Sequence, residues 1–463
     1  MKSIVGSPAI SELKTQPLKT SRSLVNLSLV SALAGLLLVF ARPGALMRIS
    51  AAIACAWITL TFPFAGLILY LLVEYMRPGD VMPSIASWRP ALIVAALTMI
   101  GLVIAKSKDR SQEIVWSKQS WMLAGFISTM LVSIITAIWK SQALQVTIDA
   151  AKIWIVFLIM TNLITTTHRL KQFIWVMVLL GFYLASRSVF MYQRTGDFAT
   201  GPGEGFLGDR NDLAMAMLVI LPIAGSLFQA SEKTLEKTIA GATFVALIAG
   251  IISTFSRGGF VGLLCVLLGM SLLAKRRTIA FLTLSALLVI AWYVSPDSYK
   301  ERIISISHYQ QDESAQNRLY AWKAARAMFH DRPFFGVGPG NFETAYGRIY
   351  RPPGAPGIWR APHSIYFECI AELGIVGCIF FGLLVSLTYL DCLKIYLSRT
   401  VAPPTNWERR MAAGFMLGMT GYLASATFLS ALLYSHPYYL AALTVSMANI
   451  INSRQPKTGG ESV

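Results

Sequence analysis

Apolar residues in this chain are gathered into long blocks, neither alternating with polar residues nor confined to one helical face. Blocks close to the length that crosses a bilayer as a helix, about 17–25 residues, fall near 24–41, 45–61, 62–77, 90–105, 120–139, 145–164, 172–188, 212–230, 238–255, 258–274 and 278–294. A long polar stretch follows, and then further blocks at 364–391, 410–430 and 437–453. Membrane-crossing strands would be shorter and would alternate apolar with polar positions. The pattern therefore predicts an all-α polytopic integral membrane protein of about 12–14 transmembrane helices. Pro63 marks the one ambiguous boundary, since 45–77 reads either as two short spans or as one kinked helix.

The residues between the blocks bear on that boundary and on orientation. Alternate connections are basic: Lys106/Lys108/Arg110/Lys118, Arg169/Lys171, Lys233/Lys237, Lys275/Arg276/Arg277, Lys394/Arg399/Arg409/Arg410 and Arg454/Lys457. Basic loops favour the cytoplasmic side, and two spans in 45–77 keep the basic N-terminal tail there as well. The expected organisation is a cytoplasmic tail over 1–23, a helical bundle over 24–294, a large periplasmic loop over 295–363, C-terminal membrane helices over 364–453 and a cytoplasmic tail over 454–463. The long polar lead-in with Lys2, Lys14, Lys19 and Arg22, and Pro43 close behind the first block, favour an uncleaved first span over a cleaved signal peptide.

Inside 295–363 the stretch "SAQNRLYAWKAARAMFHDRP" places Leu319, Trp322, Ala325 and Phe329 on one face of a helix. Ser314 or Asn317 is the expected cap, and Pro333 lies beyond the end. With Arg318, Lys323 and Arg326 away from that stripe, the helix is expected to lie along the membrane surface. The glycine-rich "FFGVGPGNF" and the proline-rich "RPPGAPGIWRAPH" then lead to His363 as shaped loops.

Composition sharpens this picture. Charged residues make up 14% of the 463, against roughly a quarter in soluble domains, and the mean hydropathy is +0.57. A formal net charge of +17 would point to nucleic acid in a soluble protein. Here cytoplasmic loops account for it, so membrane lipids and no nucleic acid are the expected surroundings. Cys55, Cys265, Cys369, Cys378 and Cys392 lie in or beside apolar blocks without metal-site or disulfide spacing.

Chemistry is concentrated where the non-basic connections enter the membrane. Arg210 stands in "GFLGDRNDLAMAM" just before a span, Arg257 in "TFSRGGFVG" between two apolar blocks, and His363 at the start of the block after the long loop. All three are expected at one depth on one face. Charge at the hydrocarbon boundary is costly unless partnered, and two planar guanidinium forks converging there suit a pyrophosphate. Simpler readings exist for each. Arg257 is then an interfacial snorkelling side chain, Arg210 pairs with Asp209 or Asp212, and His363 is a polar residue opening a helix. Gly374 and Gly377 then serve close packing, and Asp149 and Lys152 neutralise each other one turn apart. Glu368 and Glu372, also one turn apart, either face the same pocket or do not.

His363-Ser364, nine residues and then Gly374-x-x-Gly377 resembles the H-[NSQ]-x9-G-x-x-G pattern of the O-antigen ligase family. "TFSRGG" is similar to that family's S-R-G segment, and "RLYAWKAARAMF…FFGVGPGNF" to its periplasmic-loop signature. These motifs cover roughly residues 200–380. Upstream, "FPFAGLILYLLVEYMRPGDVMP" and "RPALIVA" are similar to the O-glycosylation ligases associated with exosortase systems. The resemblance implies a GT-C-like, metal-independent glycosyltransferase of the bacterial inner membrane that needs no cofactor. It implies transfer of a preassembled glycan from undecaprenyl diphosphate to a lipid or protein acceptor on the periplasmic side. Carried over, Arg210 and Arg257 bind the donor diphosphate, Arg318 is a further substrate-binding residue, and His363 is catalytic, assisting attack by the acceptor hydroxyl. The hairpin 24–61 is additional to the family's usual spans and leaves the parity unchanged.

The residue types suit that chemistry in their own right. A departing anomeric diphosphate needs charge stabilisation more than protonation by a carboxylic acid, and a His near its ordinary pKa of about 6.5 suits removal of a hydroxyl proton. No DxD-like carboxylate pair stands on this face, so no metal is expected. Two other functions remain open from sequence. A glycan polymerase would share fold and donor, and a transporter would suit the many spans and the Asp149–Lys152 pair. Against the transporter, no inverted repeat is visible and the charged candidates crowd at one face.

Overall fold

The computed structural model describes residues 45–81, 88–108, 113–202, 207–294, 313–398 and 403–454. Among them there is no strand. In chain order the helices are α1 (Ala45–Thr61), α2 (Pro63–Met76), α3 (Pro90–Lys108), α4 (Lys118–Thr136), α5 (Lys140–Leu163), α6 (Thr167–Thr195) and α7 (Arg210–Ala230). They continue as α8 (Thr234–Ser253), α9 (Arg257–Leu273), α10 (Arg277–Val294), α11 (Glu313–Asp331), α12 (Ile365–Leu397), α13 (Asn406–Ala426) and α14 (Ser435–Asn452). Each predicted apolar block from residue 45 onward meets a helix; the block at 24–41 lies outside the described residues. Seven helices among the described residues (α3 to α8 and α12) are long and apolar enough to cross a membrane, and α2 and α9 are shorter apolar helices. The chain is an all-α, multi-pass membrane protein.

The Pro63 boundary separates two helices. Phe62, with φ −126° and ψ 77°, leaves the helical region, and Pro63 opens α2, where its missing N–H costs nothing. A Cβ on Gly66 would meet Thr59 Cγ2 at 2.6 Å. Residues seven apart in one straight helix are separated by about 10 Å of rise, so α1 and α2 meet at a sharp angle.

The core is built around α7. Its residues Leu213 to Leu227 are buried, and it packs against α6, α8, α9 and α13. Neighbouring glycines admit its larger side chains, as Gly181 does for Ile220 and Gly250 for Met217, the close approach that small residues permit between membrane helices.

The helix after the long loop is broken. At Gly374 the backbone takes φ 63° and ψ −163°, a region essentially reserved for glycine. The break exposes backbone groups, and the turn at residues 333–338 pairs with them. Val337 N–H donates to Ala371 O (2.9 Å) and Gly338 N–H to Glu372 O (3.0 Å). In return Ile375 N–H donates to Pro333 O (2.8 Å) and Val376 N–H to Phe334 O (3.3 Å). The glycine-rich turn is thereby keyed into α12, so that α12 splits into a short stub, 365–373, and a long apolar remainder.

Helix α11 differs from its sequence-based description in two ways. It is already helical at Glu313, so neither Ser314 nor Asn317 caps it. Its buried face is Ala321, Ala324, Ala325 and Met328, packed on Val337, Phe342, Tyr346 and Ala371, while Leu319 is exposed. Small side chains let it press against the turn and the α12 stub, and Ala325 and Trp322 of the predicted stripe pack on that side.

Candidate functional site

Two short polar caps decide where the arginines stand. The Asp209 carboxylate accepts from Asn211 N–H at 2.7 Å, starting α7 at Arg210. The Ser256 hydroxyl accepts from Gly259 N–H at 3.1 Å, starting α9 at Arg257. Ser256 Oγ also donates to Asn211 Oδ1 at 2.8 Å, which ties the two helix N-termini together. Gly258 and Gly259 allow this closeness: a Cβ on either would lie 3.2 Å from Ser425 O or 2.8 Å from Ala214 Cβ. Arg318 arrives from α11. The three arginines share a cavity of about 150 Å³ with Asn211, Ser425 and Phe428, and no carboxylate is among its lining residues.

Each outer guanidinium is steered by an aromatic ring. Arg210 lies 4.4 Å from the centroid of Phe198 and Arg318 lies 5.8 Å from that of Phe428, contacts that orient a cation without neutralising it. Arg210 forms no ion pair with Asp209 or Asp212, so the simple pairing does not hold. Three guanidinium groups and the positive ends of α7 and α9 border one small space, an arrangement that favours an anion. Among the described residues no group of three or more His, Cys, Asp or Glu is placed to hold a metal ion.

His363 stands beside this cavity, fixed through its backbone. Its N–H donates to Ser430 Oγ at 3.0 Å, and the preceding carbonyl, Pro362 O, accepts from Trp322 Nε1 at 3.0 Å. Trp322 in turn stacks on Phe367 of the α12 stub with ring centroids 4.9 Å apart. Because Trp322 follows Arg318 by one helical turn, the clamp that sets His363 also sets Arg318. His363 adopts φ 45° and Phe255, two residues before Arg257, φ 53°. Left-handed backbone at such residues costs of order 1–3 kcal/mol and gathers at functional sites. Partial desolvation by neighbouring protein, together with the Arg318 and Arg360 cations, holds the imidazole pKa below the ordinary value; Asp209 acts in the opposite sense. The shift favours the neutral, proton-accepting form of the ring.

A second and larger cavity, about 690 Å³, opens at the same end of the bundle. Glu368 and Glu372 both line it, as do Asp149 and Lys152, the last two joined at 2.6 Å as their spacing predicts. The structure thus brings Arg210, Arg257, Arg318 and His363 to one end. Asn211, Ser430 and Trp322, which organise them, escaped sequence reasoning because their partners are 45, 67 and 40 residues away.

Residues 242–382 match the family model of O-antigen ligase. The matched segment runs from α8 into α12 and contains Arg257, Arg318 and His363; Arg210 precedes it. No curated protein matches the chain. The family match supports the O-antigen ligase resemblance read from the motifs, and with it a glycosyltransferase-like enzyme that transfers glycan in the manner of the ligases and polymerases of that family.

Proposed function

We propose that this protein transfers a preassembled glycan from undecaprenyl diphosphate to a hydroxyl of a lipid or protein acceptor. The reaction takes place at the periplasmic face of a bacterial inner membrane, with both termini in the cytoplasm. The observation that carries this reading is the carboxylate-free cavity in which Arg210, Arg257 and Arg318 meet between two helix N-termini. Guanidinium forks bind phosphate oxygens in bidentate fashion, and the cavity's position at the ends of membrane helices suits a headgroup whose polyprenyl tail stays in lipid.

In the proposed step the acceptor oxygen attacks the anomeric carbon while the bond from that carbon to the diphosphate oxygen breaks. The electron pair leaves with undecaprenyl diphosphate, and the acceptor's proton passes to the neutral His363 ring. The arginines stabilise the charge gathering on the leaving group, the kind of pre-set electrostatic aid that is worth most where water is excluded. Three fixed cations supply the charge that a divalent metal supplies elsewhere, so the reaction is proposed to be metal-independent. The likeness of 62–83 and 89–95 to exosortase-associated ligases favours a protein or an exopolysaccharide acceptor.

The test is reconstitution of the full-length protein in nanodiscs with an undecaprenyl diphosphate-linked glycan and membrane extract as acceptor source. Wild type is expected to transfer glycan and release undecaprenyl diphosphate, and Arg257→Ala and His363→Ala are expected to abolish both while inserting normally. Near-normal turnover in either variant would overturn the proposal. In cells, loss of a ligase leaves polymeric glycan on undecaprenyl diphosphate, whereas loss of a polymerase leaves single repeat units.

A further inference from the structure

The larger cavity adjoins the arginine cavity but differs from it in charge. Its volume, about 690 Å³, lies within the range of small-molecule sites, about 300–1,000 Å³. Its lining holds the carboxylates of Glu74, Asp149, Glu368 and Glu372 and the cations of Arg77 and Lys152. Both cations are already engaged, Lys152 with Asp149 at 2.6 Å and Arg77 with Asp80. A phosphate entering here gains no cation that is not already paired.

The carboxylates are also held in place. Glu74 Oε1 accepts from Ser435 Oγ at 3.2 Å, and Glu368 Oε2 from Leu432 N–H at 3.2 Å. Glu372 accepts from Gly340 N–H at 2.7 Å and Phe342 N–H at 3.0 Å. A carboxylate offers about four acceptor positions, so each of these keeps capacity for a hydroxyl donor. The segment between the two cavities is short. Phe428 and Leu429 line the arginine cavity, while Ser430 and Leu432 line the larger one. Ser430 Oγ is also the group that holds the His363 backbone, so the chain at His363 is tied to the segment that divides the two cavities.

We infer that the larger cavity seats the acceptor, and that it selects an uncharged, hydroxyl-rich sugar over a phosphorylated one. The inference rests on the glycan-transfer reading above. Fixed carboxylates accept hydrogen bonds from sugar hydroxyls, and the dividing segment presents one of those hydroxyls to His363 while the diphosphate occupies the other side. The lining offers a phosphate no cation that is not already paired, so an acceptor carrying phosphate beside its reacting hydroxyl is excluded.

The experiment uses the full-length protein in nanodiscs with an undecaprenyl diphosphate-linked glycan as donor. Methyl glucoside is the uncharged probe and methyl glucoside 6-phosphate the charged one. Release of undecaprenyl diphosphate is followed against probe concentration, and donor binding is measured separately. Methyl glucoside is expected to accelerate release saturably, and the phosphorylated probe to leave it unchanged. Asp149→Asn, and in a second variant Lys152→Gln, should raise the half-saturating methyl glucoside concentration about tenfold, the effect of losing one charge-assisted hydrogen bond. The half-saturating donor concentration should stay unchanged. Equal response to both probes, no response to methyl glucoside, unchanged saturation in both variants, or an effect on the donor instead would overturn the assignment. Failure of the wild type to bind donor would instead strike the glycan-transfer reading itself, and the separate binding measurement shows which has failed.

Discussion

Replacing Gly374 by Ala should disconnect the loop that carries His363 from its seat without preventing insertion of the chain. At φ 63° and ψ −163° any residue with a Cβ incurs of order 1–3 kcal/mol of strain. The added methyl would lie 2.5 Å from Phe334 C and O and 2.6 Å from Pro333 O, and these are backbone atoms that cannot rotate aside. Relief requires the turn at 333–338 to leave the break in α12, giving up its four N–H···O bonds to the helix. At about 0.5–1.5 kcal/mol each that is about 2–6 kcal/mol, so the keyed arrangement is weakened by roughly 30-fold or more. Gly382 provides the control on the same helix, since a Cβ there meets nothing within 4 Å and Ala in place of Gly favours a helix by roughly 0.5–1 kcal/mol. The assay is glycan transfer together with limited proteolysis of the 333–363 segment, on variants inserted at equal levels. Gly374→Ala should lose most activity and become cleavable there, whereas Gly382→Ala should match wild type. Equal behaviour of the two variants would refute the keyed-turn reasoning.

The other predictions concern the cavity and the imidazole. Arg257→Lys keeps the charge but loses the fork, and the loss of a charge-assisted bond worth about 1.5–3 kcal/mol should weaken undecaprenyl diphosphate binding by roughly 10–100-fold, measured by titration in nanodiscs. His363 must be neutral to accept a proton, and its depressed pKa places the acid limb of the pH–rate profile below the ordinary pH of about 6.5. Removing the cation in Arg318→Gln should move that limb upward, costing relatively more rate at pH 6 than at pH 7.5; an unmoved or lowered limb would contradict the coupling. EDTA titration should leave transfer intact, and a loss restored by divalent cation would contradict metal independence. Trp322→Ala, which frees Pro362 O and the Phe367 face, should lower turnover more than donor affinity, read as kcat against the donor titration.

How far this arrangement shows in the sequence depends on the range over which each residue acts. Span positions were legible because each apolar block needs only its own length to be seen, and Pro63 could be read as a break because proline imposes one locally. Arg210, Arg257 and His363 were legible because a charge at the end of an apolar block is costly and therefore informative. The packing face of α11 was misjudged at Leu319, because periodicity weighs large apolar residues while the buried face is built from Ala321, Ala324 and Ala325. The break at Gly374 was hidden inside an uninterrupted apolar block, and its purpose depends on Pro333 and Phe334 some 40 residues earlier. The spacing of the Glu368–Glu372 pair indicates a shared face, but the cavity they line also needs Glu74 and Asp149 from distant helices.

The most direct test of the central claim is a structure of the full-length protein with undecaprenyl diphosphate bound. The account predicts both phosphates in the cavity bordered by Arg210, Arg257 and Arg318, within hydrogen-bonding reach of at least two of those side chains, with His363 on the side of the terminal phosphate, which bears the sugar in the donor. A diphosphate seated against the carboxylates of the larger cavity, or at the other end of the bundle, would contradict it.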